Sequence, residues 1–475
     1  MKTVVPGLLL ALLGAAGLRA DITFGPVFTD HAVLQRDKLT PIWGRADPHE
    51  HVSVRFHGAT VGASADDDGR WVVLLPAMTT DADGQDLVAD GAKNTAVCHD
   101  VVVGEVWLCS GQSNMEFMME DRRKVPQFKL LNGKEEIAAA NFPLIRQFEV
   151  RRKAAGSPQT TAEGSWIPCT PATAGAFTAV GYFFARDIHL RLNVPVGLID
   201  STWGGTPIEA WMSPFALASD PAFGVVATRW TQVPPDYPHK ASWEPAGLFN
   251  AMINPLLPYA LRGILWYQGE SNAVRPTEYH RLFASLITTW RAHFGQGDLP
   301  FYWVQISAYQ APPALGGGGW AALREAQAQA LDLPQTGMAV TVDIGDPKNI
   351  HPANKQEVGR RLALIAKANT YDLIADYSGP VFSSAERVGA RMRVHFRFAD
   401  GGLTAADKPL ASFELAGADR KFHPATATIT GDTLLVQSPA VREPVAVRYA
   451  WSDCPEANLY NGAGLPAVPF RSDSW

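Results

Sequence analysis

Ser113 stands where a strand is predicted to end and a helix to begin. The segment Gly111-Gln112-Ser113-Asn114-Met115 follows an apolar run from Val101 to Cys109, which indicates a buried strand closed by a tight turn. A helix that opens there directs positive partial charge and free N–H groups toward the serine. This geometry suits a nucleophile whose attack creates an oxyanion. The alternative is that Ser113 only caps the helix.

Two later segments carry candidate oxyanion donors. Gly204 and Gly205 follow the apolar stretch Val196–Ile199, and paired glycines let a backbone N–H approach a ligand closely. Asn272 ends the segment Trp266-Tyr267-Gln268-Gly269-Glu270-Ser271-Asn272, and a carboxamide is a neutral donor suited to an oxyanion. The sequence leaves open which glycine donates, and an ordinary turn is the alternative for both segments.

A fourth segment supplies a base. His351 lies in the stretch 343–352, just before a helical pattern, and an imidazole titrates near neutral pH. Glu270 with Glu209 would instead suit a glycosidase pair. We expect Glu270 to brace its loop or to bind substrate hydroxyls, and we assign substrate binding to Gln112, Gln268 and Glu270. Several aromatic residues beside strands are expected in the core or stacked on a sugar: Trp203, Trp211, Trp266 and Tyr267.

The elements that must position these residues belong to an α/β domain, which we place at residues 101–375. Apolar runs predict its strands at Val101–Leu108, Val196–Ile199, Gly263–Tyr267, Phe301–Ile306 and Met338–Val342. Apolar residues at helical spacing predict helices at Phe177–Leu192, Leu282–Phe294 and Val358–Ile365. Such alternation predicts a three-layer domain with a parallel sheet covered on both faces and a site at the carboxyl ends of its strands.

Two β regions are predicted to flank this domain. Residues 21–100 and 376–475 show short alternating segments separated by turns, for which a β-sandwich is the natural expectation. Within the α/β domain, residues 217–245 have no clear period and are rich in Pro and Trp. We expect this stretch to be a long excursion flanking the cleft.

Composition excludes several functions. The chain of 475 residues has a formal net charge of −6 and no long basic stretch, so nucleic acid is not an expected partner. Residues 1–20 read as a signal peptide, and no second apolar run is long enough to span a bilayer. We therefore expect a soluble mature protein, secreted or periplasmic. The four cysteines are Cys98, Cys109, Cys169 and Cys454; they lack a C-x-x-C spacing, so no zinc site is expected. They could form disulfides in any of three full pairings, or all four could stay reduced.

The four segments together resemble the SGNH hydrolases, and among them the sialate O-acetylesterase family. Their signatures appear in order as Ser-Gly-Gln-Ser-Asn-Met, Trp-Gly-Gly-Thr, Trp-Tyr-Gln-Gly-Glu-Ser-Asn and Ile-His-Pro-x-Asn-Lys. Further similar stretches are 33–37, 323–327 and 458–461, so the resemblance covers almost the whole mature chain. It implies a flavodoxin-like SGNH fold and a serine esterase that removes acetyl groups from a carbohydrate. The substrate would be sialic acid or a plant polysaccharide such as xylan.

The resemblance implies a role for each segment. Ser113 is the nucleophile, His351 takes its proton, and the oxyanion donors are the Ser113 N–H, the N–H of Gly204 or Gly205, and the Asn272 side chain. No metal or organic cofactor is implied.

One departure from the family pattern concerns the histidine. SGNH enzymes commonly carry an Asp three residues before it, where this chain has Lys348, and Asn349 replaces the Asp of Asp-Ile-His-Pro. Asp346 is our first choice for the group that orients His351, Asp343 is the second, and a backbone carbonyl is the third. The rival interpretation is a non-catalytic glycan-binding protein that keeps the fold.

Overall fold

A computed structural model describes residues 21–120, 125–399, 401–405 and 408–475. The predicted signal peptide, residues 1–20, lies outside the described residues. The first part of the fold is all β, as expected. Its strands are β1 (Thr23–Phe24), β2 (Val33–Gln35), β3 (Thr40–Arg45), β4 (His51–Phe56), β5 (Ala59–Ser64), β6 (Arg70–Leu75), β7 (Asp81–Asp90) and β8 (Thr95–Gly111).

Strand β8 joins this region to the next. Its first part pairs with β7 and β2, and its second part pairs with strands of the following domain. The predicted boundary at residues 100–101 therefore falls inside one continuous strand. Glu105, fully buried in β8, accepts hydrogen bonds from Arg36 on one side and Arg262 on the other, each at 2.5 Å. A single carboxylate thus ties the two parts of the molecule together.

The second part alternates strands and helices. Its helices are α1 (Ser113–Glu116), α2 (Gly133–Ala139), α3 (Ala179–Leu192), α4 (Pro214–Ser219), α5 (Gly224–Thr231), α6 (Lys240–Trp243), α7 (Pro276–Phe294), α8 (Trp320–Gln329) and α9 (Lys355–Asn369). Its strands are β9 (Phe142–Glu149), β10 (Trp166–Cys169), β11 (Val196–Thr202), β12 (Gly263–Tyr267), β13 (Phe301–Val304) and β14 (Thr336–Ala339).

These strands form a sheet in the order β10-β9-β11-β8-β12-β13-β14. All neighbours are parallel except β10 and β9. The chain places β9 and β11 on one side of β8 and β12 on the other, so the strand order reverses at β8. Ligands bind at such a switch point in open α/β sheets, and Ser113 follows β8 there.

Helices cover both faces of this sheet. Trp107 and Leu265 face a core shared with α3 and α9, whereas Leu108 and Trp266 face the opposite core, which includes the apolar residues of α7 and α8. This arrangement follows from the pleat, because successive side chains of a strand point to opposite faces. The predicted mixed α/β domain with a covered parallel sheet is confirmed.

The last part is again β, as expected. Its strands are β15 (Val381–Val388), β16 (Arg391–Arg397), β17 (Leu403–Thr404), β18 (Phe413–Ala416), β19 (Phe422–Thr430), β20 (Thr433–Gln437), β21 (Ala446–Tyr449), β22 (Tyr460–Asn461) and β23 (Phe470–Arg471). An antiparallel sheet runs in the order β15-β16-β20-β19-β18-β21-β23, and β17 pairs with β22. That the flanking regions are sandwiches stays a prediction.

The hairpin of β9 and β10 is not among the predicted strands. Buried polar residues interrupt the apolar pattern of β9, where Arg146 donates to the Asp100 carbonyl at 2.5 Å and Gln147 accepts from the Thr178 amide at 3.0 Å. These partners come from distant parts of the chain. The strand therefore forms without the alternation by which sequence patterns reveal strands.

The cysteines form no disulfide with one another: Cys98, Cys109 and Cys169 are buried and Cys454 is half-buried. Burial raises the pKa of the Cys98 and Cys169 thiols to about 12, which keeps them protonated. Across residues 21–120, 125–399, 401–405 and 408–475, no helix combines the length and the apolar character needed to cross a membrane.

Candidate active site

The carboxyl ends of β8, β11 and β12 and the loop after β14 meet around one cleft of about 630 Å³. Ser113 and His351 lie together on its wall, and the Ser113 hydroxyl Oγ is 2.8 Å from His351 Nε2. Ser113 is half-buried and His351 is only 7% exposed. The two most distant of the four predicted segments are thus joined by a hydrogen bond between the predicted nucleophile and the predicted base.

Ser113 is positioned by a tight crossing of strands. Gly111 adopts a φ of +130° and a Cβ there would lie 2.2 Å from the Tyr267 carbonyl oxygen, so only glycine fits. Ser113 is the first residue of α1, where a backbone N–H has no acceptor within the helix. Because α1 is a single turn whose Met115 and Glu116 N–H groups both donate to the Gln112 carbonyl, it has no sizeable macrodipole.

His351 is held by its neighbours in the loop. Its backbone N–H donates to Asn349 Oδ1 at 2.9 Å, and its ring packs on Phe128 with centroids 4.2 Å apart. Asn114, the residue after the nucleophile, donates to the Ile350 carbonyl at 3.0 Å. The serine and histidine segments are therefore fixed to each other by a second contact beside the reacting atoms.

The two candidate orienting carboxylates have different surroundings. Asp343 pairs with Arg361 through two bonds of 2.7 Å, and both side chains are buried. Asp346 is exposed, and its Oδ1 accepts from the Lys348 backbone N–H at 2.8 Å. Its assignment as the group that orients His351 stays a prediction.

The glycine pair lies beside the nucleophile. A Cβ on Gly204 would come 3.2 Å from the Ser113 Cβ, so the backbone passes close to the serine. The Gly204 N–H donates to Glu116, whose other oxygen is 2.7 Å from Arg152. Gly205 has a φ of +73° with open space where a side chain would stand. Glu116 and Arg152 line the cleft, although sequence analysis did not single them out.

The predicted oxyanion donor Asn272 lies behind the cleft wall, together with its neighbour Gln268. Asn272 is 1% exposed; its Nδ2 donates to Glu209 at 2.8 Å, and its Oδ1 accepts from the Ile208 N–H at 2.9 Å. Gln268, fully buried, donates to Asn272 Oδ1 at 2.7 Å. Nδ2 of a carboxamide carries two protons, so the bond to Glu209 leaves one for an oxyanion.

Of the three predicted substrate-binding residues, two line the cleft and one lies behind it. Gln112 and Glu270 line the cleft, whereas Gln268 supports the loop from behind. Gln112 Oε1 accepts from the Ser271 N–H at 3.3 Å and so fixes the β12 loop. Of the aromatic residues singled out earlier, Trp203 lines the cleft, and the other three are fully buried: Trp211, Trp266 and Tyr267.

A buried polar chain connects three of the segments. Lys355 Nζ donates to Asn114 Oδ1 at 2.6 Å, and Asn114 Nδ2 donates to Glu270 Oε1 at 2.5 Å. Burial lowers the pKa of Lys355 to about 7, and burial raises the pKa of Glu270. Lys355 belongs to the motif Ile-His-Pro-x-Asn-Lys, which was the signal that could have pointed to its role.

Among the residues that the structure describes, no group of three or more His, Cys, Asp or Glu side chains is arranged to hold a metal ion. The cleft instead brings together a serine, a histidine and backbone N–H groups at the carboxyl edge of a parallel sheet. A fold and site of this kind define the chain as a carboxylic ester hydrolase.

Comparisons with known proteins identify its family. The model of the family described as carbohydrate esterase, sialic acid-specific acetylesterase matches residues 103–367, and the chain belongs to this family. The chain is similar to a carbohydrate acetylesterase from Xanthomonas citri, with 41% identity, a TM-score of 0.86, and coverage of 96% of this chain and 100% of that one. It is also similar to the sialate O-acetylesterases of Pongo abelii and Homo sapiens, each 29% identical over 98% of this chain and 97% of theirs. The predicted resemblance to this family is confirmed.

Proposed function

We propose that the protein is an exported O-acetylesterase that acts on carbohydrates through a serine-bound acetyl intermediate. The observation that carries this proposal is the 2.8 Å contact between Ser113 Oγ and His351 Nε2 on the wall of an open cleft. A nucleophile within hydrogen-bond distance of its base is what covalent acyl transfer requires.

The reaction has two halves. Ser113 Oγ attacks the acetyl carbonyl carbon while His351 Nε2 takes the hydroxyl proton. The tetrahedral intermediate collapses, the C–O bond to the sugar breaks, and His351 returns the proton to the sugar oxygen. A water molecule then attacks the acetyl-serine carbonyl carbon, and its proton passes to His351 Nε2. The bond from the acetyl carbon to Ser113 Oγ breaks, His351 returns the proton to Oγ, and acetate leaves.

The negative charge of each intermediate needs donors near Ser113. The Ser113 N–H, the N–H of Gly204 or Gly205, and the second Nδ2 proton of Asn272 are the proposed set. In the free protein the Gly204 N–H contacts the Glu116 carboxylate. Its service as a donor requires Glu116 to move aside, whereas Gly205 requires no such change. Each such donor contributes roughly 3–4 kcal/mol to transition-state stabilisation.

The substrate is proposed to be an acetylated sugar. The relatives are named for sialate and for carbohydrate O-acetyl groups, and the open cleft of about 630 Å³ accommodates a sugar unit. Sialic acid and a plant polysaccharide such as xylan are the two candidate sources. A panel of acetylated glycans scored for acetate release distinguishes them.

A glycosidase is not favoured by the surroundings of the two glutamates. Glu209 is held by Arg229 and Arg275, and Glu270 Oε1 is engaged by Asn114. Glu209 is thus committed to structural ion pairs, whereas Ser113 and His351 already form the contact that acyl transfer requires.

Replacement of the nucleophile tests the proposal. Ser113→Ala is expected to lower kcat on nitrophenyl acetate by about a thousandfold or more, because no other group takes the acetyl. Ser219→Ala, outside the cleft, is the matched control and is expected to match wild type. Equal activity of Ser113→Ala and wild type would contradict the assignment of Ser113 as the nucleophile. Absence of hydrolysis by wild type would favour the non-catalytic glycan-binding alternative.

Export is a separate part of the proposal and rests on the sequence of residues 1–20. Fractionation followed by N-terminal sequencing is expected to recover mature protein outside the cytoplasm that begins at Asp21. Recovery of the full-length chain in the cytoplasm would contradict it.

A further inference from the structure

The excursion between α5 and β12 contributes an aromatic surface to the cleft. Tyr237, His239 and Trp243 line it together with Ser113 and His351, and we refer to these three residues as the aromatic wall. Tyr237 and Trp243 are half-buried and His239 is exposed, so their rings are partly open to the cleft. The mechanism described above uses none of them.

The aromatic wall is held in one arrangement. The Tyr237 and Trp243 rings meet edge to face with centroids 5.4 Å apart, and the His239 ring lies nearly parallel to Trp243 at 6.2 Å. Trp243 Nε1 donates to the Gly205 carbonyl at 2.8 Å. This bond anchors the indole to the turn that runs beside Ser113, so the wall has a fixed position relative to the nucleophile.

A rigid, partly exposed indole suits the C–H face of a pyranose ring, which is apolar although its rim carries hydroxyls. A buried acceptor on the same cleft suits those hydroxyls. Glu270 lines the cleft, and its Oε2 is buried without a hydrogen-bond partner among the described residues. A hydroxyl donor from a bound sugar would remove the cost of leaving that oxygen unsatisfied.

The charges on the cleft wall favour an uncharged sugar. Arg152 is paired with Glu116 at 2.7 Å, and Arg275 is paired with Glu209 at 2.9 Å. A substrate carboxylate would have to compete with these existing partners for either arginine. An uncharged pyranose binds without breaking an ion pair.

We propose that the aromatic wall and Glu270 form a subsite for an uncharged pyranose, with the sugar that leaves Ser113 stacked on Trp243. This inference rests on the proposed esterase function and adds the substrate class to it. It makes Trp243 a specificity residue: its ring contributes to binding of the sugar and nothing to attack on the acetyl group.

The experiment compares three esters in the full-length protein: nitrophenyl acetate, an acetylated methyl xylopyranoside, and O-acetylated N-acetylneuraminic acid. Wild type is expected to show a higher kcat/KM on the xyloside than on the acidic sugar. Trp243→Ala is expected to raise KM for the xyloside about tenfold while activity on nitrophenyl acetate stays within about twofold. Trp243→Phe keeps a ring and is expected to retain most of the xyloside activity.

Trp230→Ala is the matched control, since Trp230 lies in α5 just before this excursion and packs against Lys240 without lining the cleft. If Trp243→Ala loses activity equally on nitrophenyl acetate and on the xyloside, the indole serves only to hold the Gly205 turn. If it loses activity on neither ester, the proposed subsite is contradicted. A preference of wild type for the acidic sugar would overturn the assignment to an uncharged pyranose. Failure of the proposed function shows separately, either as no hydrolysis of nitrophenyl acetate by wild type or as equal activity of wild type and Ser113→Ala.

Discussion

His351 meets Ser113 through Nε2, so the group near its other ring nitrogen determines which tautomer accepts the serine proton. The family pattern places an Asp where this chain has Lys348. The two nearby carboxylates are engaged differently, because Asp343 is committed to Arg361 and Asp346 accepts only a backbone N–H at its Oδ1. Their substitutions should therefore affect different properties.

We predict that Asp346→Asn lowers kcat more than tenfold, which is a loss of at least about 1.4 kcal/mol of transition-state stabilisation. Asp343→Asn breaks a buried ion pair and is expected to lower the free energy of unfolding by about 3 kcal/mol. Steady-state kinetics and urea unfolding of both variants separate the two effects. If neither substitution lowers kcat tenfold, a backbone carbonyl orients the histidine.

At the residue scale, the contact between Ser113 and His351 was predictable, because small or polar residues follow apolar runs in both segments. The residues that bond to the predicted oxyanion donors could not be predicted from the sequence. Asn272 has the residue type of an oxyanion donor, yet its depth behind the wall is set by Glu209, which is 63 residues away in sequence. Glu116 is three residues from Ser113 in sequence, but its contacts with Arg152 and with the Gly204 N–H come from other parts of the chain.

The turn after β11 brings the backbone close to Ser113. The requirement for glycine has a different physical cause at each of its two glycine positions. Gly204 has little room for a side chain, since a Cβ would lie 2.9 Å from Glu116 Oε2 and 3.2 Å from Ser113 Cβ, and both neighbours would have to shift. Gly205 has room but needs a positive φ.

We predict that Gly204→Ala lowers kcat by about tenfold or more, because the added methyl group displaces the catalytic serine. Gly205→Ala is expected to cost about 1 kcal/mol of stability through its left-handed backbone conformation. Kinetics and thermal unfolding of the two variants measure these effects. The prediction fails if Gly204→Ala retains wild-type kcat, or if Gly205→Ala leaves the unfolding free energy unchanged.

At the element scale, apolar runs bounded by turns located the sheet strands well. The run at Gly263–Tyr267 is buried along its whole length and matches β12 residue for residue. The run at Phe301–Ile306 ends two residues later than β13. Gln305 and Ile306 remain buried past the end of the strand, and the Gln305 N–H still donates to the Ala339 carbonyl at 2.9 Å. The excursion 217–245 was predicted to flank the cleft. The sequence did not indicate that Trp243 lines the cleft, because that stretch has no periodicity from which to infer which side chains face inward.

At the scale of the whole molecule, the chain of Lys355, Asn114 and Glu270 links segments that are more than 240 residues apart at their ends. Burial lowers the pKa of Lys355 from 10.5 to about 7. Between these values the unfolded chain holds a proton on Lys355 that the folded protein lacks. The free energy of unfolding therefore rises with pH across that window.

We predict that this rise is lost in Lys355→Met. Relative to the variant, wild type is expected to gain up to roughly 2 kcal/mol of stability between about pH 7.5 and about pH 9. Urea unfolding of both proteins at the two pH values measures the difference, and titrating groups common to both cancel. Parallel pH profiles would mean that Lys355 keeps its ordinary proton affinity in the folded state.

Strand β8 determines whether the N-terminal region can be separated from the rest of the chain. The strand runs from Thr95 to Gly111 through both sheets, and the family match begins inside it, at residue 103. Separating the N-terminal region at that point would cut a hydrogen-bonded strand and deprive Glu105 of its Arg36 partner. The N-terminal strands therefore cannot be removed at that point without also removing part of the strand that leads to Ser113.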